Sequence, residues 1–158
     1  MRSPLMRAVM LVAIVALLPV AAGCGSSKKK SAGAAPALTK AEFLKRGNAI
    51  CKRGNQQINQ VSRKLFPTKN ARPSQAQLKK FATATLIPSV QSQINGVKAL
   101  GAPKGDEAKV SAIITSAQAA LDQGKKDPLL LVSSKHDPFA KTNKLAKAYG
   151  LTVCGSGG

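Results

Sequence analysis

From Phe43 to Leu65 apolar and small residues return every three or four positions (Phe43, Gly47, Ile50, Cys51, Gly54, Ile58, Val61, Leu65), and the positions between them carry Lys45, Arg46, Lys52, Arg53, Arg63 and Lys64. One apolar stripe at this period predicts an amphipathic helix that ends before Pro67. Its start is written in three residues. Thr39 with Glu42 three positions later is a capping box, and Leu38 with Phe43 can close a hydrophobic staple across it. A second stripe runs through Leu78, Phe81, Ala82, Leu86, Val90, Ile94 and Val97, opened by a weaker capping box of Ser74 and Gln77. Pro88 lies inside it, and a missing N–H together with a ring clash predicts a kink or break between Leu86 and Ser89. Leu100-Gly101-Ala102-Pro103 stops this helix, with glycine at the cap and proline beyond.

A third helix begins at Asp106 and Glu107, whose charges suit the positive end of a helix. It buries Val110, Ile113, Ile114, Ala117, Ala120 and Leu121, and its expected end is near Gly124. Pro128-Leu129-Leu130-Leu131-Val132 reads as one or two helical turns, because no other segment has the strand character to pair with it. Asp137-Pro138 restarts a fourth helix with an acid at the cap and proline at the first position. Phe139, Leu145, Ala146 and Tyr149 give its apolar side, Gly150 closes it, and Leu151 packs back in a Schellman ending. Four helices with short connections and no internal repeat predict an all-α fold, a single four-helix up-and-down bundle over residues 38–154 followed by a disordered tail over 155–158. Gly47 and Gly54 sit on the buried stripe, where each costs up to about 1 kcal/mol of helix propensity. Close approach of a neighbouring helix is the use expected of them.

Before the first helix the pattern changes character. Arg2 and Arg7 precede an unbroken apolar run from Ala8 to Leu18, followed by Val20-Ala21-Ala22-Gly23-Cys24. A positive start, a short apolar core and a small-residue junction make a secretory signal, since a spanning helix needs about 20 apolar residues. A cysteine directly after Ala-Ala-Gly resembles the lipobox of bacterial lipoproteins, although Ala21 stands where leucine is usual. The resemblance implies cleavage after residue 23 and a diacylglycerol thioether, with further acylation such as palmitate, on Cys24. An ordinary cleaved signal and an uncleaved signal anchor are the alternatives. Residues 24–37 then contain no large apolar side chain and read as a flexible tether. Within it Lys28-Lys29-Lys30 is either a contact for an anionic leaflet, at about 1 kcal/mol per lysine, or a plain hydrophilic spacer.

Charge narrows the possible partners. The 158 residues hold 25 Lys and Arg against 6 Asp and Glu, and losing Arg2 and Arg7 with the signal takes the formal charge from +19 to +17. A basic exported domain of 135 residues is drawn to anionic lipid, acidic envelope polymer or an acidic partner protein. Many of the lysines also simply solubilise exposed helix faces. Nucleic-acid binding by stacking wants aromatic residues among the basic ones. Here Trp is absent, and the one Tyr and four Phe fall mainly on apolar stripes. One histidine, His136, and no paired-cysteine motif leave no metal site and no cofactor to expect, and Gly-Ala-Pro-Lys-Gly lacks phosphate-loop spacing. No constellation of acids, nucleophile and base stands out, so no enzyme is expected.

Cys51 and Cys154 fall on the buried stripe of the first helix and just beyond the last one, in a disulfide-permissive compartment. A Cys51–Cys154 disulfide is the expected pairing, with two separate buried thiols as the alternative. Phe43 to Cys51, the Leu100-Gly101-Ala102-Pro103 stop and the ending Ala146 to Gly155 resemble small secreted or lipid-anchored helical proteins of unassigned function found in actinobacteria. That resemblance implies a helical domain and a cysteine pair, and no activity. The function expected from these readings is that of a lipid-anchored, extracytoplasmic, non-enzymatic envelope protein. Its basic first helix would contact an anionic surface, polymer or partner through Lys45, Arg46, Lys52, Arg53, Arg63 and Lys64. The alternative is a helical bundle whose interior, opened by Gly47, Gly54 and the Pro88 kink, holds a small apolar ligand or lipid.

Overall fold

The computed structural model describes residues 37–68, 72–133 and 135–156, all belonging to one compact unit, Ala35–Gly158. Cys24, the signal sequence and the Lys28-Lys29-Lys30 tether lie outside the described residues. Helix α1 (Lys40–Leu65) begins as its capping box requires: Thr39 Oγ1 accepts from the Glu42 N–H at 3.3 Å, and Glu42 Oε2 accepts from the Thr39 N–H at 3.0 Å. Helix α2 (Gln75–Phe81) opens on the same motif, formed by Ser74 and Gln77. No strand occurs among the described residues, so the fold is all-helical.

Pro88 does not break the second helix. Between α2 and α3 (Ile87–Ala99) the chain runs through a π-helical segment, Ala82–Leu86, without leaving the helical path. The Ile87 N–H donates to the Ala82 carbonyl five residues back. The wider turn takes in the ring and the missing donor of Pro88 one residue downstream, where a regular ladder would clash. Thr83 Oγ1 donates to the Lys79 and Lys80 carbonyls at 3.0 and 3.2 Å inside the same turn. Gly101 then ends α3 at φ +70°, a left-handed conformation that favours glycine.

Helix α4 (Glu107–Lys126) passes through Gly124 and ends two residues later than the sequence pattern implied. Gly124 is buried there because the Leu131 side chain occupies the space its Cβ would need. A 3₁₀ helix over Pro128–Val132 brings Leu131 back, capped by Asp127 Oδ1 accepting from the Leu129 N–H at 3.1 Å. Helix α5 starts at Ala140 rather than at Pro138 and ends at Tyr149. Asp137 spends its carboxylate on the Phe139 N–H, 2.8 Å, and on Asn143 Nδ2, 3.1 Å, holding a turn in front of the helix. The far end is a Schellman cap: Gly150 has φ +108° and the Leu151 N–H donates to the Ala146 carbonyl at 2.9 Å.

Helix α1 packs on α3, α3 on α4, and α4 on α5. The main core joins both ends of the unit, with Phe43 and Cys51 of α1 against Ala146, Tyr149 and Leu151 near the C-terminus. Phe43 meets Tyr149 edge-on at 6.0 Å between ring centroids, and its complete burial is worth about 1.5–3 kcal/mol. A second, smaller cluster of Ile94, Ala117 and Leu121 lies between α3 and α4. Gly155, which the pattern assigned to the tail, is buried in a last 3₁₀ turn, Cys154–Ser156, against the Asn143 carbonyl and Lys147 of α5.

Candidate functional site

At about 100° per residue, Lys45, Lys52 and Arg63 share one direction on α1, and Arg46, Arg53 and Lys64 point roughly a quarter turn away. The buried positions Phe43, Gly47, Cys51, Gly54 and Ile58 lie on the opposite side of the rod. All six basic residues are exposed, and they span about 28 Å at 1.5 Å per residue. None pairs with a carboxylate among the described residues, where the ion pairs are Lys40 and Lys109 with Asp106, and Lys125 with Asp122. Glu42, the one acid on α1, is held at the cap by the Thr39 hydroxyl and N–H, which lower its pKa. The sequence-predicted contact residues therefore share one surface.

Cys51 and Cys154 are joined, with Cα atoms 5.1 Å apart and a sequence separation of 103. Asn48 works beside the bridge. Its Nδ2 donates to the Gly150 carbonyl at 3.1 Å and its Oδ1 accepts from the Val153 N–H at 2.9 Å, so one α1 side chain satisfies an acceptor and a donor of the returning tail. Compared with known proteins, the chain matches no family model, no curated protein and no solved structure. What it can do has to be read from its own surfaces and spaces.

A cavity of about 570 Å³, partly open to solvent, lies between α1, the α2–α3 run, α4 and the Pro128–Val132 turn. It lies where the two core clusters fail to merge. Ile94 and Ala117 of the smaller cluster line one part, Val97 and Ile113 of the larger one another, and Phe66 and Phe81 meet edge-on at 5.6 Å along its wall. Protein interiors ordinarily leave few voids larger than a water molecule. The wall is mainly apolar, and no lysine or arginine among the described residues lines it. Along one side Asn55, Asn59 and Ser62 follow each other at helical spacing on α1, and Gln93 of α3 lies over Gly54, filling the place of its missing Cβ. None of these four side chains makes a hydrogen bond within the described residues. The i, i+4, i+7 spacing of the three α1 residues beside the apolar stripe was visible in the sequence, but whether that flank faces water or a cavity was not.

Asp106 is a second feature that sequence reasoning placed differently. As the residue before α4 it makes no side-chain capping bond. Its carboxylate instead accepts from the Tyr149 hydroxyl at 3.0 Å and from Lys109 Nζ at 3.1 Å, with Lys40 Nζ at 3.8 Å. The Lys109 hydrogen bond is the main cause holding Asp106 below its ordinary pKa, and burial partly opposes it. Burial, then the Asp106 contact, pushes the Tyr149 hydroxyl up to about 12. Lys40 also lies over the Tyr149 ring, 4.7 Å from its centroid. These groups tie the starts of α1 and α4 to the end of α5; the carboxylate is engaged by donors on every side and is not a free acid or base. Among the described residues no three His, Cys, Asp or Glu side chains converge on a metal-sized site, and no helix is long and apolar enough to cross a membrane.

Proposed function

We propose that this is an exported, non-enzymatic protein anchored through a lipidated Cys24, whose up-and-down helical bundle rests the basic face of α1 on an anionic surface, first of all the membrane that carries the anchor. The observation that carries this reading is the stripe of Lys45, Arg46, Lys52, Arg53, Arg63 and Lys64, six exposed cations on one side of one rod with no carboxylate paired to them among the described residues. Successive contacts of α1 with α3, α3 with α4 and α4 with α5 support the up-and-down order. Each cation close to an anionic leaflet contributes about 1 kcal/mol, and the attraction fades over a Debye length of about 8 Å at physiological salt. A tether from Cys24 keeps the face near that leaflet, so even weak attraction orients the domain.

Charge reversal on the unit from Ala35 to Gly158 tests the surface contact. Wild type binds phosphatidylglycerol vesicles at low salt and releases steeply as salt rises, while a variant with Lys45, Arg46, Lys52 and Arg53 all changed to Glu keeps its helix content and loses most of the binding. Equal binding by the two proteins overturns the proposal. Binding to acidic envelope polymer but not to vesicles replaces the membrane with that polymer. Intact-mass analysis of the mature protein tests the anchor, which requires a diacylated Cys24 at the N-terminus.

A further inference from the structure

We infer that the cavity between α1, α3 and α4 is a binding site for an uncharged single-chain amphiphile, a monoacylglycerol or an ester or amide of similar shape, with its chain along the apolar wall and its head against Asn55, Asn59, Ser62 and Gln93. This goes beyond the surface contact proposed above and uses none of its residues. Three observations choose the ligand. A cavity of about 570 Å³ is within the range of roughly 300–1,000 Å³ typical of small-molecule pockets, and it suits one chain rather than two. The long wall is hydrocarbon, supplied by Phe66, Phe81, Val90, Ile94 and Ile113 among others. The polar residues on it divide into two sets.

Asp137, Thr142 and Asn143, at the α5 side, are engaged within the protein: Asp137 with the Phe139 N–H and Asn143, and Thr142 with Ser116 at 2.9 Å. Asn55, Asn59, Ser62 and Gln93, at the α1–α3 side, have no hydrogen-bond partner within the described residues and offer both donors and acceptors to a ligand. That composition recognises hydroxyl, ester and amide groups. A carboxylate or phosphate head would be taken from water without a cation to meet it, since no lysine or arginine among the described residues lines the wall. Although the chain carries +19 overall, none of the described lysines or arginines lines the cavity. The chemistry of the pocket is therefore the opposite of that of the surface.

The full chain, with the Cys51–Cys154 bridge formed, is incubated with monomyristoylglycerol, with myristate or with glycerol, desalted, and the retained ligand measured by mass spectrometry. Monomyristoylglycerol is expected at one molecule per chain, insensitive to salt, with myristate at neutral pH held about tenfold more weakly and glycerol not at all. Val90→Trp fills the cavity and should abolish retention with helix content unchanged. Asn55→Leu with Asn59→Leu leaves the cavity in place and should remove the preference for the glyceride over myristate. No retention by wild type, or equal retention by wild type and a folded Val90→Trp, overturns the site. Myristate held as tightly as the glyceride overturns the uncharged head. A basic-face variant that loses vesicles yet keeps the glyceride separates this site from the surface contact.

Discussion

Alanine should be tolerated better at Gly54 than at Gly47, although both residues are buried on the same face of α1. In each case the backbone gains up to about 1 kcal/mol from replacing glycine inside a helix. The new methyl group meets different neighbours. At Gly47 it would lie 2.7 Å from Leu151 Cδ2. Leu151 is 1% exposed, packed in the main core and held by its own N–H in the Schellman cap, so its side chain has little room to yield. Overpacking of this kind costs typically 1–3 kcal/mol, which exceeds the propensity gain and leaves Gly47→Ala destabilised by about 0–2 kcal/mol. At Gly54 the obstacle is the amide end of Gln93, a half-buried side chain with no hydrogen bond to lose, and it can swing into the cavity beside it. Gly54→Ala should then be neutral or up to about 1 kcal/mol more stable. Urea unfolding followed by far-ultraviolet circular dichroism reads both, as a shift of midpoint at constant slope. A higher midpoint for Gly47→Ala, or a lower one for Gly54→Ala than for Gly47→Ala, refutes the packing logic for both glycines.

Replacing Cys51 with Ala and Cys154 with Ser frees a loop closed over 103 positions; the chain-entropy model sets an upper loss of about 4.7 kcal/mol, and about 2–4 kcal/mol is expected because Asn48 still holds the tail. A loss under about 1 kcal/mol by urea unfolding would mean that the oxidised bridge constrains little. Tyr149→Phe should flatten the alkaline limb of stability: a hydroxyl raised from 10.0 to about 12 on folding stabilises fully below pH 10 and loses that contribution as pH rises towards 12. Asp106→Asn should flatten the acid limb, since a carboxyl lowered on folding contributes above its ordinary pKa and loses that contribution as pH falls through the folded value. Thermal melts across both pH ranges check the pair, and unchanged limbs in both variants would remove the Asp106–Tyr149 tie as a source of stability.

Local chemistry in the chain determined much of this molecule. Thr39 and Glu42, Ser74 and Gln77, Gly101 and Gly150 act on backbone groups within a few residues of themselves, so their caps and stops could be placed without knowing what lay across the core. The apolar stripes likewise told which face of each helix is buried, and with it that the six basic residues of α1 share the opposite one. A single cysteine on a stripe and another past the last helix left the bridge as the natural pairing. Other outcomes depended on partners distant in sequence. Pro88 announced a disturbance, but a π-turn rather than a break resulted because both halves of the helix remain packed on neighbours. Gly124 had the look of a stop until Leu131 returned to cover it, and Asp106 read only as a charge suited to the start of a helix, with no sign that Tyr149, 43 residues away, would reach it. The cavity is the extreme case: no residue encodes it, because a void is set by how closely α1, α3 and α4 approach, and that distance is decided only when all their side chains are packed together.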